Sequence, residues 1–405
     1  MDILVQRQLD NMASGNGAYL ETFLRMVKAA GMDARLVFAP FQSFGNRPWA
    51  EVHPRFKALV REIEWPASVR IGRRYWSVSP RVWMRFALRI LKEAWRRAGG
   101  KVTIASYLGR EIAPGEARRL AALCDRRPAD ITLAEYSSMG PALKQMQART
   151  IHTCLMHDLL SERAARRRAG GQVIDCDETS LETELGWLSS CELIFFASAS
   201  ELETLRAHLP ATRMTWVAPD APDYGAPEDS PAPRVVFIGT VHAGNTDALN
   251  HFLDDIWPGI VAEEPGLELH IAGSIGRTLT PRRAGLPGVK TLGRVDRLES
   301  LGGANAIGIA PVRIATGVSI KVAEYLLLAM PCAAYPLALQ GFGRVLDDIV
   351  VVADGPDGLK AEILALVRDP ARRAELSAKA KAEVRNRLSH AEPIRAIHEI
   401  LGLGN

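Results

Sequence analysis

The stretch AIGIAPVRIATGVSIKVAEYLLLAMPCAAY, residues 306–335, reads as strand, loop, helix, strand. Its first apolar run ends in Pro311 and shows no polar alternation, which is how a strand covered on both faces looks. A loop with Arg313 and Gly317 follows. A helix opens on Lys321, carries Glu324 and closes near Met330 and Pro331, ahead of a second apolar run. A strand that feeds a helix and then a second buried strand is the unit of a parallel, helix-covered sheet.

The same rhythm extends in both directions. Before residue 220, apolar runs stand at 3–5, 35–39, 102–105, 131–134, 151–156, 193–197 and 214–218. After 230 they stand at 234–239, 267–273, 289–293, 306–311, 331–335 and 349–353. Helical patterns fill most gaps, for example 19–30, 201–208 and 359–367. Between the two sets lies APDAPDYGAPEDSPAPR, residues 218–234, with five prolines and four acids. That composition marks an extended linker. The expected organisation is a first doubly wound domain over 1–220, a linker over 221–233 and a second such domain over 234–405. The final helix is expected to pack back on the first domain. Length agrees, since single cores seldom grow beyond about 250–300 residues.

Bulk composition excludes several classes. The 405 residues are 47% hydrophobic and 24% charged, with a net charge of +4, so nucleic acid is not indicated. Five scattered cysteines form no C-x-x-C pair, which suggests buried free thiols rather than a disulfide framework or zinc site. No run reaches the roughly 18 apolar residues that span a bilayer, and the opening residues do not read as a signal peptide. A cytoplasmic protein is expected, with room for peripheral contact at the inner membrane face.

In open parallel sheets ligands bind beyond the carboxyl ends of the strands, so the loops there carry the candidate residues. Gly15, Asn16 and Gly17 precede a helical pattern and could cradle an anion, or form a plain turn. His157 and Asp158 sit at the tip of the 151–156 strand. Histidine moves protons near neutral pH, and Asp158 could tune it or cap a helix. The arginines 163, 166, 167 and 168 read as a solvated helix face. Asp175 and Asp177 form a D-x-D that reads better as helix capping than as a metal site. After the 234–239 strand, Gly239, His242 and Asn245 form a plausible phosphate or sugar cradle, with Asn245 as N-cap. In the opening stretch, Arg313, Lys321 and the backbone amides of 317–320 suit phosphate, and Glu324 could accept two ribose hydroxyls. The alternative is a Lys321–Glu324 surface pair worth only about 0.3 kcal/mol.

On these residues the second half, from about 234 to 367, resembles the nucleotide-binding domain of the family 4 retaining glycosyltransferases, which have the GT-B fold. The likeness is carried by RVVFIGTVHAGNTDALNHFLDDIWPGI, LELHIAG, VKTLGRV and ATGVSIKVAEYLLLAMPCAAY. It implies two Rossmann-like domains facing across a cleft and a nucleoside diphosphate sugar as donor. The acceptor hydroxyl would belong to a saccharide or a lipid-linked saccharide, and the anomeric configuration would be retained. Glu324 matches the ribose-binding glutamate. Gly317, Ser319 and Lys321 match the phosphate-facing loop; Thr316 and Val318 are donor-binding candidates beside them, with Thr316 where many members have a second glutamate. Gly15 and Gly17 look like the family's first glycine loop, and His157 stands where a histidine near the transferred sugar is often found. The usual basic pair after the first strand is missing from FIGTVHAGN, so Arg294, Arg313 and Lys321 are the candidates to neutralise phosphate. No metal or other cofactor is called for if these cations suffice.

RIGRRYWSVSPRVWMRFALRILKEAWRR, residues 70–97, holds nine cations and one acid. Arg81, Arg85 and Arg89 fall on one stripe of a helix, with Trp83, Phe86 and Ile90 opposite. Such a helix either rests on anionic lipid or packs on the core with a basic outer face. A nucleotide-sugar epimerase of the same fold and a non-catalytic binding or scaffold protein are the competing functional readings.

Overall fold

The computed structural model describes residues 1–10, 15–97, 109–169, 176–314 and 318–403. The chain divides by contacts into two compact units. One contains 1–197, 201–217 and 390–405; the other contains 198–200 and 218–389.

The strands of the first unit are β1 (Asp2–Val5), β2 (Arg35–Phe38), β3 (Trp49–Ala50), β4 (Glu62–Glu64), β5 (Ser68–Ile71), β6 (Arg74–Ser77), β7 (Ile131–Glu135), β8 (Ile151–Met156), β9 (Leu193–Phe196) and β10 (Arg213–Trp216). Seven of them form a parallel sheet in the order β10-β9-β8-β7-β1-β2-β4. The second unit has β11 (Arg234–Ile238), β12 (Glu268–Ala272), β13 (Val289–Gly293), β14 (Ala306–Ala310), β15 (Cys332–Ala334) and β16 (Val350–Val352). They form a parallel sheet in the order β13-β12-β11-β14-β15-β16. The strand order reverses between β1 and β7 in one sheet and between β11 and β14 in the other. Those are the two points where a crevice opens at the strand tips.

Twelve of the thirteen apolar runs are strands, within two residues of the expected bounds. The run at 102–105 lies outside the described residues. The central strands are covered on both faces: Ile3, Leu4, Val5, Leu269, Ile271, Ile307 and Ile309 are fully buried. All five cysteines are buried free thiols.

Three features depart from the sequence reading. A small antiparallel sheet, β3-β6-β5, stands where no strands were expected. Its strands are short and partly exposed, so they lack the continuous apolar run that marks the others. Residues 218–233 do not run free. Arg385 pairs with Asp223 at 2.9 Å, Arg297 with Glu228 at 2.5 Å, and Asp229 accepts from the Asn305 amide at 2.9 Å. The acids of this proline-rich stretch are what bind it to the second unit. Finally, the helix Pro80–Arg97 packs only one narrow face, through Val82, Phe86 and the Trp83 indole, which donates to the Ser77 carbonyl at 2.9 Å.

Candidate functional site

In the second unit the candidate site forms at the tips of β11 and β14. The helix Ile320–Leu327 is fixed there by Tyr325, fully buried beneath it. The Tyr325 hydroxyl accepts from the Ile238 amide at 2.9 Å and donates to the Ile309 carbonyl at 3.1 Å, so one side chain ties the helix to both central strands. The ring lies on Gly308, where an added Cβ would come within 2.4 Å of it.

This places Lys321 against the end of β11. Its ammonium donates to the Asn245 Oδ1 at 2.5 Å and stands 4.6 Å from the centre of the Phe237 ring. Burial lowers its pKa to about 8, against the pull of Glu324. Glu324, one turn on, is held above the usual carboxylate range by burial, with Lys321 acting in the other direction. Its carboxylate has no hydrogen-bond partner among the described residues. A partly covered carboxylate left in that state beside a cation is shaped for a ligand's hydroxyls.

After β11 the helix cap differs from expectation. His242, not Asn245, caps the helix Ala243–His251, its Nδ1 accepting from the Gly244 amide at 3.3 Å. Asn245 lies in the first turn, where its amide bridges the Thr240 carbonyl and Lys321. Gly239 is tight: a Cβ there would approach the Phe237 ring to 3.0 Å. Arg313 is held by Asp247 at 2.7 Å, and Arg294, largely exposed, by Asp296 at 3.2 Å. Lys321 is therefore the member of that trio without a carboxylate partner. Val318 and Ser319 lead into the helix, and Ser319 makes no side-chain cap. Thr316 and Gly317 lie outside the described residues.

In the first unit the tips of β1, β7 and β8 carry a buried charged cluster. Glu135 is fully buried and accepts from Arg7 Nε at 3.0 Å and Nη2 at 2.7 Å. His157 Nε2 lies 3.2 Å from the same Glu135 oxygen. Burial would raise the Glu135 pKa, but Arg7 and His157 outweigh it and hold the group below the usual range. Glu135 Oε2 and His157 Nδ1 are buried without partners. Tyr136 carries a backbone φ of 79°, in a region where a bulky residue is strained, and its ring lies 4.6 Å from that of His157. Gly15, Asn16 and Gly17 open the helix Gly15–Ala29 from within its first turn rather than preceding it. Asn16 accepts from Arg7 through its carbonyl at 3.1 Å and bonds the Tyr136 hydroxyl.

Asp158 follows in the chain and places its charge near Tyr136. It is buried against Arg163, so Arg163 is not part of a solvated face. The helix Leu160–Ala169 is capped by Glu184, which accepts from the amides of Leu160 at 3.1 Å and Ser161 at 2.7 Å. Asp177 pairs with Arg110 at 2.9 Å while Ser180 caps the helix Leu181–Leu188; Asp175 lies outside the described residues. Among the described residues no group of three His, Cys, Asp or Glu could hold a metal ion.

Arg7, Glu135 and Tyr136 escaped the sequence reading. Each stands within two residues of the end of an apolar run, but nothing in the sequence says that the first run and the one at 131 become neighbours.

The second unit also matches a known family. The sequence model of the glycosyl transferases group 1 aligns with residues 232–369. The match spans the residues of the second unit's candidate site, from Phe237 to Glu324. The whole chain has the GT-B fold of two Rossmann-like domains. Sucrose-phosphate synthase from Thermosynechococcus elongatus superimposes with a TM-score of 0.63 at 14% identity, over 99% of this chain and 98% of that one. Anabaena HepE in complex with UDP gives 0.62 at 14%, over 100% of both chains. A mutant of S. aureus TarM gives 0.61 at 11%, over 99% of both. No curated protein matches the chain in sequence.

Proposed function

We propose that the protein is a retaining glycosyltransferase that moves a hexosyl group from a nucleoside diphosphate sugar to an acceptor hydroxyl. The acceptor is a saccharide, free or lipid-linked, in surface polysaccharide or glycolipid synthesis. The observation that carries this reading is the pairing of buried, carboxylate-free Lys321 with unpartnered Glu324 inside the matched domain. Lys321 meets the diphosphate as a point charge, and Glu324 takes the ribose hydroxyls. Solved relatives of this fold support uridine as the base: Anabaena HepE holds UDP and glucose, and S. aureus TarM holds UDP with fondaparinux and alpha-GlcNAc-glycerol.

In the transfer, the bond from the anomeric carbon to the β-phosphate oxygen breaks with its electron pair left on the diphosphate. The acceptor oxygen forms the new bond and gives its proton to a departing phosphate oxygen. Lys321 and the amides that open its helix stabilise that charge, which is where most of the catalysis lies. Gly239, His242 and Asn245 shape the donor side.

Titration calorimetry with UDP and UDP-sugars tests the reading. The parent binds UDP, and Glu324→Ala loses about 10–100-fold in affinity, the value of charge-assisted bonds to two hydroxyls. Absence of binding by any nucleoside diphosphate in the parent sinks the proposal.

Peripheral membrane contact is part of the same reading, with its contact face reassigned. Arg85 and Arg89 are used by the fold, donating to the Phe41 and Asn46 carbonyls at 2.7 and 3.4 Å. The open face is apolar: Met84, Leu88, Ile90, Leu91 and Trp95 are each at least half exposed, flanked by exposed Arg81 and Lys92. Apolar residues with a cationic border suit an anionic bilayer. The parent should float with phosphatidylglycerol vesicles, and Leu91→Glu with Trp95→Glu should not; a parent that stays at the bottom removes the membrane contact. No helix among the described residues is long and apolar enough to cross a membrane.

A further inference from the structure

The first unit contains a cavity of about 510 Å³ at the tips of β1 and β7, the point where its strand order reverses. That volume is within the usual range of about 300–1,000 Å³ for small-molecule sites. Three guanidinium groups line it, Arg7, Arg47 and Arg89, together with Gln6, Gln42 and Tyr136, and no carboxylate does.

Two of the cations are fixed rather than loose. Arg7 is locked by Glu135 and the Asn16 carbonyl through Nε and Nη2, which leaves Nη1 unused among the described residues. Arg47 is held through Nη2 alone, by Gln8 and by Asp10 at 2.5 Å, and Arg89 through Nη1 by the Asn46 carbonyl. Arg7 and Arg47 therefore keep donors on groups whose direction is set, and exposed Arg89 adds a third charge at the rim. Fixed guanidinium forks are matched to oxyanions. Two side chains of the lining also carry buried acceptors in need of donors. Gln6 and Gln42 are more than nine-tenths buried, and the Oε1 of each has no partner. Buried amide oxygens in that state are satisfied by ligand hydroxyls.

We infer that this cavity binds an acceptor carrying an oxyanion, a phosphoryl or carboxylate group, held by Arg7, Arg47 and Arg89 while Gln6 and Gln42 take its hydroxyls. The inference rests on the glycosyltransferase reading for calling the ligand an acceptor. It adds that the acceptor is an acidic sugar rather than a neutral one. Glutamine oxygens specify hydroxyls and the guanidinium groups specify charge, so neither set alone would define this ligand.

Calorimetry on the full chain, with UDP present, compares glucose 6-phosphate, glucuronic acid and glucose as probes. At least one acid should bind tenfold or more tightly than glucose, and which of the two wins separates a phosphoryl from a carboxylate acceptor. Arg47→Gln and Arg89→Gln should each weaken the acid by roughly tenfold while leaving glucose unmoved, and raised salt should weaken it as well. Arg47→Lys, which keeps the charge but not the fork, should fall between parent and Arg47→Gln. Both positions have exposed side chains, so the unfolding temperature checks that the variants fold. Equal affinity for all three probes, or an acid preference that survives both substitutions, overturns the inference. A parent that fails to bind UDP counts instead against the glycosyltransferase reading.

Discussion

Lys321 shows how a single residue trades stability for a ligand. Its ammonium is buried at the end of β11 with an amide oxygen and an aromatic face for company, and burial lowers its pKa to about 8. The protonated form is the one that attracts diphosphate. UDP affinity should therefore be flat below about pH 8 and fall by up to tenfold per unit above it, as binding comes to require proton uptake. Lys321→Arg should remove that dependence, because guanidinium stays charged. Lys321→Met should abolish UDP binding yet raise stability by roughly 1–2 kcal/mol, since an unfavourably buried charge is gone. The Arg7–Glu135 pair behaves in the opposite sense. Arg7→Met leaves a carboxylate buried without its main partner and should cost about 3–5 kcal/mol in urea unfolding. Because the folded pKa of Glu135 is depressed, the parent's contribution from this pair is complete above the unfolded carboxylate value and is lost as pH falls through the folded one.

At the scale of elements, the helix Ile320–Leu327 is positioned by one hydroxyl. Tyr325→Phe leaves the Ile238 amide and the Ile309 carbonyl without their side-chain partner, at a cost of about 1–3 kcal/mol, and should weaken UDP binding through displaced Lys321 and Glu324. Gly308→Ala presses a methyl group into the same ring and should be worse than Tyr325→Phe in thermal unfolding. The sequence made this element legible. Pro311, Gly317 and the helical spacing after Lys321 mark a strand-to-helix crossing without any structure. What it left unread is equally physical. Asn245 has the chemistry of a cap, but His242 precedes it with a ring nitrogen at the right reach, so the helix starts three residues early and the asparagine is released to hold Lys321. The basic stripe of the helix Pro80–Arg97 was visible from spacing, but that two of its arginines serve backbone carbonyls of the loop at 41–46 depends on tertiary packing.

For the whole molecule, two doubly wound sheets follow from near-continuous apolar runs, because only strands buried on both faces are so uniform. Strand order does not follow. β1 lies between β2 and β7, partners about 30 and 130 residues away, and that adjacency is what assembles Arg7, Glu135 and His157. A cluster built by neighbours so distant in sequence leaves no local pattern to read. The first unit also depends on residues 390–403. The helix Ala391–Ile400 buries Ala396 and Ile397, its His398 lies 3.0 Å from the Ala30 carbonyl, and Glu399 pairs with Arg213. Ending the chain at residue 389 should destabilise the first unit by about 3 kcal/mol, the burial of those side chains, while the second keeps its own unfolding transition. During translation the ribosome releases the second unit's residues before that helix exists. The half of the protein made first is thus the half finished last, and it must wait with an apolar seam open, a period in which a chaperone has something to hold.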